Sequence, residues 1–92
     1  MHLEEYEPYS LYVLECSDGS FYTGIAKETQ KRLDEHNHSD TGAKYTHTRR
    51  PVKLIYEEQH NSKYAAMRRE IEVKKMSRKQ KEQLVTIKFN AF

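Results

Sequence analysis

The chain has 92 residues, a length that favours a single domain with a small core. Charged residues make up 33% of it and hydrophobic residues 36%, and it lacks the run of about 18 apolar residues that a membrane-spanning helix needs, so we expect no membrane contact. Cys16, the single cysteine, cannot form an internal disulfide, and the acidic first residues do not resemble a secretory signal. We therefore expect a cytoplasmic protein.

The first half of the chain predicts a lead-in, a β-hairpin and a helix. Residues 1–9 are expected to be a flexible lead-in. Apolar residues predict strands over residues 10–16 and 20–25, with a turn at Asp18-Gly19 between them. Residues 28–37 are polar and rich in good helix formers, so they predict a helix.

Two tyrosines on this hairpin allow two interpretations that depend on the length of its loop. A two-residue loop places Tyr12 and Tyr22 on opposite faces of the hairpin. A three-residue loop with Gly19 in the left-handed conformation pairs Leu14 with Tyr22 and Tyr12 with Gly24, so that both tyrosines share one face. For an isolated hairpin, two rings packed in the core are the simpler interpretation.

The second half of the chain predicts one strand between helical segments. Residues 38–50 form a polar loop, with one helical turn near residues 44–48. A strand is predicted over 52–58 and a long helix over 63–76, capped by Asn61 or Ser62. A capping box, Ser77 with Gln80, predicts a further helix that runs to about Val85.

The order β-β-α-(turn)-β-α-α predicts an α+β fold, in which a small three-stranded antiparallel sheet is flanked by helices. We expect a single domain over residues 10–85 and a monomer rather than an oligomer. Residues 86–92 form a tail, for which a short extra strand and a dimer contact both stay open.

The net charge is only +2, but the basic residues are clustered. Residues 63–81 are rich in Lys and Arg, and the region of Lys44, Arg49, Arg50 and Lys53 is also basic. Such clusters attract phosphate groups. On charge alone, a solvated helix face is the better explanation.

The carboxylate of Glu70 touches an apolar stripe of the helix, which we predict from the helical spacing of Tyr64, Met67 and Ile71. The simpler interpretation is that Glu70 points to water or pairs with Lys74 at i,i+4. The alternative is that it faces a cleft and holds a divalent cation, because Mg²⁺ prefers carboxylate ligands.

The histidines and the cysteine do not predict a zinc site. His36 and His38 do not share a helix face, Cys16 has no cysteine partner, and no spacing matches a structural zinc centre. Arg32 and His36 are spaced i,i+4 and so share one face of the first helix.

Taken in order, these residues resemble one family. Leu11-Tyr12-Val13, followed about ten residues later by Tyr22-Thr23-Gly24, resembles the paired signature of the GIY-YIG nucleases. Arg32, His36 and Glu70 correspond to the family's helix arginine, to the histidine that often follows it, and to its metal-binding glutamate. The resemblance covers roughly residues 10–85 and extends to small stand-alone members. Ser-Leu-Tyr replaces Gly-Ile-Tyr and Tyr-Thr-Gly replaces Tyr-Ile-Gly, yet both tyrosines are kept.

The resemblance implies an endonuclease that hydrolyses phosphodiester bonds, with DNA as the expected substrate and Mg²⁺ or Mn²⁺ as cofactor. It implies that Glu70 binds the metal, that Arg32 binds the phosphate, and that His36 contacts the phosphate or tunes a tyrosine. We assign Tyr12 as the base and Tyr22 as its positioning partner. A nearby cation and Arg32 would favour the phenolate form of the base.

Further residues are predicted to contact the nucleic acid. These residues are Gly24, where the absence of a side chain allows close approach, and the basic residues Lys44, Arg49, Arg50 and Lys74. A protein partner is a candidate source of specificity. The alternative function is a non-catalytic nucleic-acid-binding module on the same scaffold.

Overall fold

The computed structural model describes residues 6–40 and 42–90. Three strands and four helices follow one another in this described part of the chain. They are β1 (Tyr9–Glu15), β2 (Phe21–Ala26), α1 (Thr29–His38), α2 (Lys44–His47), β3 (Lys53–His60), α3 (Lys63–Lys74) and α4 (Arg78–Asn90). The predicted order is confirmed, and α2 is the predicted helical turn.

The strands form one antiparallel sheet in the order β2-β1-β3, so β1 is the central strand. Side chains alternate between the two faces of a strand. Tyr12 and Leu14 pack with Leu33 of α1 on one face, whereas Leu11 and Val13 pack with α3 and α4 on the other. Helices on both faces explain why β1 is a nearly continuous apolar run. The predicted α+β fold is thus confirmed.

The β1–β2 hairpin has the three-residue loop. The Cys16 amide donates to the carbonyl of Ser20 at 2.8 Å, and Gly19 lies inside the loop at φ +83°. Because this conformation is open to glycine at little cost, Gly19 fixes the loop length. Tyr12 pairs with Gly24 in the resulting register, so Tyr12 and Tyr22 share one face.

A β-bulge lies in β3, where the register shifts between Val13 and Leu14 of β1. Val13 pairs with Tyr56 and Leu14 pairs with Leu54, which leaves Ile55 as the extra residue. Ile55 and Tyr56 both pack against the α3 side of the sheet, and Leu54 packs on the α1 side. A bulge bends its strand locally, and here it returns Leu54 to the layer of Tyr12.

Both predicted caps of the last two helices are present. The hydroxyl of Ser62 accepts from the amide of Ala65 at 3.1 Å at the start of α3. Ser77 and Gln80 form the reciprocal capping box, with distances of 2.9 and 3.2 Å. These bonds satisfy amides that a helix start leaves without partners.

The predicted apolar stripe of α3 is wrong. Tyr64, Met67 and Ile71 are 68%, 45% and 54% exposed, whereas Ala66 and Val73 are fully buried. The smaller side chains face the sheet and allow the helix to approach β1 and β2. Glu70 is four residues after Ala66 and three before Val73, so it belongs to the row that faces inward.

The tail does not form the predicted extra strand over its described part, and the alternative of a dimer contact stays a prediction. Residues 86–90 continue α4 rather than form an extra strand. Residues 91–92, like residues 1–5 of the lead-in, lie outside the described residues. Among the described residues, no helix combines the length and apolar character needed to cross a membrane.

Candidate active site

Tyr12 lies at the centre of the sheet and needs a glycine beside it. Its side chain is 2% exposed. A Cβ added at Gly24 would lie 2.6 Å from the Tyr12 hydroxyl oxygen and 2.7 Å from Cζ, closer than van der Waals contact allows. Gly24 therefore makes room for the tyrosine ring. This packing role was not part of the sequence interpretation, and a contact between Gly24 and nucleic acid stays a prediction.

His36 of α1 joins the two tyrosines. It is fully buried, and the hydroxyl of Tyr12 lies 2.8 Å from its Nε2. Its ring meets the rings of Tyr12 and Tyr22 edge-on, with centroid distances of 5.9 and 5.1 Å. The fold thus brings three of the predicted site residues, which come from three elements, into one cluster.

The direction of the Tyr12–His36 hydrogen bond follows from the other ring nitrogen. His36 Nδ1 lies 2.8 Å from the hydroxyl oxygen of Thr46, and that hydroxyl donates to the carbonyl of Ala43 at 2.9 Å. A threonine hydroxyl has one proton, so Nδ1–H must be the donor to Thr46. In a neutral imidazole Nε2 is then the acceptor, and Tyr12 donates its proton to it.

The surroundings of His36 keep it neutral near pH 7. Burial lowers its pKa to about 4, and the positive charges of Arg32 and Arg50 act in the same direction, while Glu35 opposes them. Burial disfavours the charged imidazolium because it removes water from it. His36 is therefore a proton acceptor in the free protein.

The Tyr12 phenol is a weaker acid than an ordinary tyrosine. Burial raises its pKa to about 12, and Tyr22 and the charge of Glu70 add to this effect. Arg32 lowers the pKa through a hydrogen bond and its charge. Arg32 thus acts in the direction expected from the sequence, but burial outweighs it in the protein without metal or substrate.

Contacts at both ends fix α1, which carries Arg32 and His36. At its start, the hydroxyl of Thr29 donates to the carboxylate of Glu57 at 2.6 Å, and Glu57 is the β3 partner of Tyr12. At its end, the guanidinium of Arg50 donates to the carbonyls of His36 and Ser39. Arg50 therefore caps the helix, a role that its prediction as a nucleic-acid contact did not include.

Arg32 lies between the buried cluster and solvent. Its side chain is 30% exposed, and its Nη1 donates to Glu35 at 2.9 Å. Because it also acts on the hydroxyl of Tyr12, a phosphate bound at Arg32 would lie next to that tyrosine.

Glu70 of α3 acts on Tyr12 through its charge. Its carboxylate is 3.2 Å from the ammonium of Lys74, its side chain is 23% exposed, and its charge raises the pKa of Tyr12. The preceding residue, Arg69, is held by Glu58 of β3 at 2.9 Å. Glu70 pairs with Lys74, as the simpler sequence interpretation expected, and its charge acts on Tyr12; its role as a metal ligand stays a prediction.

The donor set around Glu70 fits a divalent metal only as an open site. No group of three or more His, Cys, Asp or Glu side chains is arranged to hold a metal within the described residues. Mg²⁺ often binds through one or two carboxylates together with water and phosphate, and Mn²⁺ prefers similar oxygen ligands. Glu70 would supply the protein ligand, and the remaining ligands would come from water and substrate.

Thr46 and Tyr45 were missed in the sequence. Thr46 is fully buried and orients His36, although ten residues and a loop separate the two. No local pattern reveals such a contact. The ring of Tyr45 stacks on that of Tyr22 at 6.0 Å. In the sequence, its position between Lys44 and Arg49 could have indicated Tyr45 as a site residue, because aromatic residues among basic ones are typical of nucleic-acid-binding surfaces.

Comparison with protein families identifies this arrangement. A family model described as the GIY-YIG catalytic domain matches residues 8–83. The chain belongs to the GIY-YIG family. The matched GIY-YIG region includes Tyr12, Tyr22, Arg32, His36 and Glu70, so the resemblance seen in the motifs is confirmed.

Small GIY-YIG relatives match along most of their own length. A UPF0213 protein of Staphylococcus saprophyticus is 47% identical over 76 residues, which cover 83% of this chain and 92% of the relative. A UPF0213 protein of Halobacterium salinarum is 54% identical over 74 residues, which cover 80% of this chain and 95% of the relative. The chain is thus similar in size and sequence to single-domain members.

Two solved structures have the same fold. The solution NMR structure of a UPF0213 protein from Bacillus halodurans superimposes with a TM-score of 0.58, at 47% identity, over 88% of this chain and 85% of that one. The solution NMR structure of a protein from E. faecalis gives a TM-score of 0.63, at 43% identity, over 98% and 94%. They confirm the α+β architecture.

Proposed function

We propose that the chain is a divalent-metal-dependent endonuclease that hydrolyses phosphodiester bonds in nucleic acid, with DNA as its substrate. The observation that carries the proposal is the hydrogen-bonded chain Tyr12–His36–Thr46, on whose tyrosine the guanidinium of Arg32 and the charge of the Glu70 carboxylate both act. A proton acceptor, a cation and a metal ligand are what hydrolysis of a phosphate diester requires.

Arg32 binds and orients the phosphate in this proposal. A guanidinium presents a planar set of donors that matches phosphate oxygens. Its 30% exposure leaves it open to a ligand, and its neighbour Tyr12 then lies close to the phosphorus.

The proton of the attacking water moves along the hydrogen-bonded chain. As the O–H bond of water breaks, the Tyr12 oxygen takes its proton, and Tyr12 passes its own proton to Nε2 of His36. An anionic phosphate at Arg32 opposes the charge effect that lowers the pKa of His36 and makes the acceptor stronger when substrate is bound. This route avoids a free phenolate, which burial disfavours.

Glu70 would hold the Mg²⁺ or Mn²⁺ ion, which when bound would neutralise charge at the phosphate and the leaving oxygen. Lys44, Arg49 and Lys74 would follow the nucleic-acid backbone. Cys16 is buried and unpaired, which suits the reducing cytoplasm that we infer.

A cleavage assay tests the proposal. Labelled single-stranded, duplex and branched DNA and RNA are incubated with Mg²⁺, Mn²⁺ or EDTA. We expect metal-dependent cutting that is lost in Glu70→Ala and reduced about 100-fold or more in Tyr12→Phe. Glu72→Ala changes an exposed carboxylate on the same helix and should leave cutting intact. The absence of cutting on every substrate, with binding retained, would contradict the proposal.

The second candidate function is a non-catalytic nucleic-acid-binding module. Two features favour it: burial raises the pKa of Tyr12 to about 12, and no three His, Cys, Asp or Glu side chains among the described residues are arranged to hold a metal. It predicts binding that weakens steeply with salt, because phosphate contacts release counterions, and no strand cutting in any metal.

A further inference from the structure

A line of neighbouring aromatic rings, which ends in a guanidinium, runs from Tyr12 to the protein surface. The ring centroids of Tyr12 and Tyr22 are 6.5 Å apart, and those of Tyr22 and Tyr45 are 6.0 Å apart with an angle of 27° between their planes. The guanidinium carbon of Arg49 lies 3.9 Å from the centroid of Tyr45. Tyr45 is 40% exposed and the side chain of Arg49 is 34% exposed. The outer end of the line is therefore open to a ligand.

The outer pair is held in place before any ligand arrives. Arg49 Nε donates to the carboxylate of Asp18 at 3.0 Å, and Nη1 donates to the carbonyl of Tyr45 at 2.9 Å. The amide of Ser17 donates to the carbonyl of Arg49 at 2.9 Å, which joins this segment to the hairpin loop. A planar group that is fixed in this way loses little conformational entropy when it binds a flat ligand.

We propose that Tyr45 and Arg49 form a stacking site for an unpaired nucleobase next to the phosphate that is cut. The proposal rests on the proposed nuclease function for the position of that phosphate. Aromatic rings and guanidinium planes are the groups on which unpaired bases stack. Only the ring of Tyr22 lies between those of Tyr45 and Tyr12. The stacked base therefore belongs to a nucleotide close to the phosphate that is cut.

The site selects unpaired nucleic acid for a geometric reason. In a duplex each base is covered above and below by its neighbours and presents only its edges in the grooves. An unpaired base exposes its flat face and can stack on the outer face of the Arg49 guanidinium, which the ring of Tyr45 supports from below. The preference does not depend on sequence, since every base has such a face.

Binding in EDTA tests the stacking site apart from catalysis. Fluorescence anisotropy at fixed salt compares a labelled single-stranded oligonucleotide with a hairpin duplex of the same composition. We expect Tyr45→Leu to weaken single-strand binding by about 5- to 150-fold, the range that corresponds to loss of one base–aromatic stack. Duplex binding should change less than about twofold, since backbone contacts remain.

Two further variants sharpen the test. Tyr64→Leu is the matched control. Tyr64 is also exposed, and its ring lies 5.9 Å from the guanidinium of Arg68, but it belongs to α3. Single-strand binding by the Tyr64→Leu variant should be unchanged. Arg49→Lys keeps the charge and removes the planar group, so it should weaken single-strand binding while the salt dependence stays the same. Circular dichroism confirms that each variant is folded.

Several results would overturn the stacking site. Unchanged single-strand binding in Tyr45→Leu would do so. An equal loss of affinity for single strand and duplex in this variant would also do so, as would a wild-type protein that does not bind the single strand. Failure of the nuclease proposal looks different, because cutting would be absent while the difference between the Tyr45 and Tyr64 variants in EDTA persists.

Discussion

The hydroxyl of Tyr12 donates its proton to Nε2 of His36 at 2.8 Å, and Thr46 fixes this direction by accepting from the other ring nitrogen. The hydroxyl of Thr46 is committed to the carbonyl of Ala43. The consequence is that a proton can leave Tyr12 towards the interior while another arrives from the side of Arg32. The tautomer of one buried histidine therefore determines how the tyrosine can act.

Replacement of Thr46 should disturb the tautomer of His36. Thr46→Val keeps the shape of the side chain and removes the acceptor, so a buried N–H loses its partner at a cost of about 1–3 kcal/mol in the free energy of unfolding. Long-range ¹H–¹⁵N spectra should show protonated Nδ1 in the wild type and a mixture of tautomers in the variant. Thr46→Ser should restore both stability and tautomer. A wild type protonated at Nε2 would contradict the assigned direction.

Stability should depend on pH through His36. The pKa of His36 is about 4 in the folded protein and about 6.5 in the unfolded chain. Between about pH 4 and 6.5 His36 is therefore protonated mainly in the unfolded state. The contribution of neutral His36 to the free energy of unfolding should be fully present above about pH 6.5. The free energy of unfolding should then fall by about 3 kcal/mol as the pH approaches 4. Urea unfolding at several pH values measures this.

The matched control is His38, which is exposed on the same helix. The pH dependence should become shallower in His36→Gln and should stay as in the wild type in His38→Gln. Equal curves for all three proteins would show that His36 is not held neutral.

The close contact at Gly24 predicts a loss of both stability and activity. Gly24→Ala places a methyl group 2.6 Å from the Tyr12 hydroxyl oxygen, so the ring must shift from the position in which it is hydrogen-bonded to His36. We expect a loss of about 1–3 kcal/mol in the free energy of unfolding, together with loss of cutting. Gly19→Ala provides the contrast: it is strained by its φ of +83° but meets no atom within 4 Å, so it should cost stability and spare activity.

The charge of Glu70 should be visible in the titration of Tyr12. Because that charge raises the pKa of Tyr12 from its ordinary value, Glu70→Gln should lower it from about 12. Tyrosine labelled with ¹³C at Cζ allows the pKa to be followed by NMR. Glu72→Gln, on an exposed part of α3, should leave it unchanged. An unchanged pKa of Tyr12 in the Glu70→Gln variant would show that Glu70 lies away from the site.

The pH dependence of cutting distinguishes the proton relay from a free phenolate. If Tyr12 passes its proton to neutral His36, the cleavage rate at low substrate should vary by less than about threefold between pH 6 and 9. A base that must first ionise, with a pKa of about 12, would make the rate rise about tenfold per pH unit over the same range. Such a rise would contradict the relay.

Local sequence signals predicted most of the framework because their causes are local. Gly19 permitted the three-residue hairpin loop through its own backbone conformation, and the structure decided for that loop, which sets the register of Tyr12 and Tyr22. Ser62 and the Ser77–Gln80 capping box marked helix starts through bonds that span three residues. The prediction failed for α3, where several faces carry apolar residues and only the distance to the sheet selects the smaller side chains.

The sequence by itself determined the family and the order of the elements, and it supplied the five candidate site residues, since these depend on residue types, short spacings and their order along the chain. Only the tertiary structure decided which residues support that site. Thr46 orients His36, Gly24 makes room for Tyr12, and Tyr45 extends the ring stack to the surface. Burial, which raises the pKa of Tyr12 and lowers that of His36, arises only when distant segments pack together and exclude water.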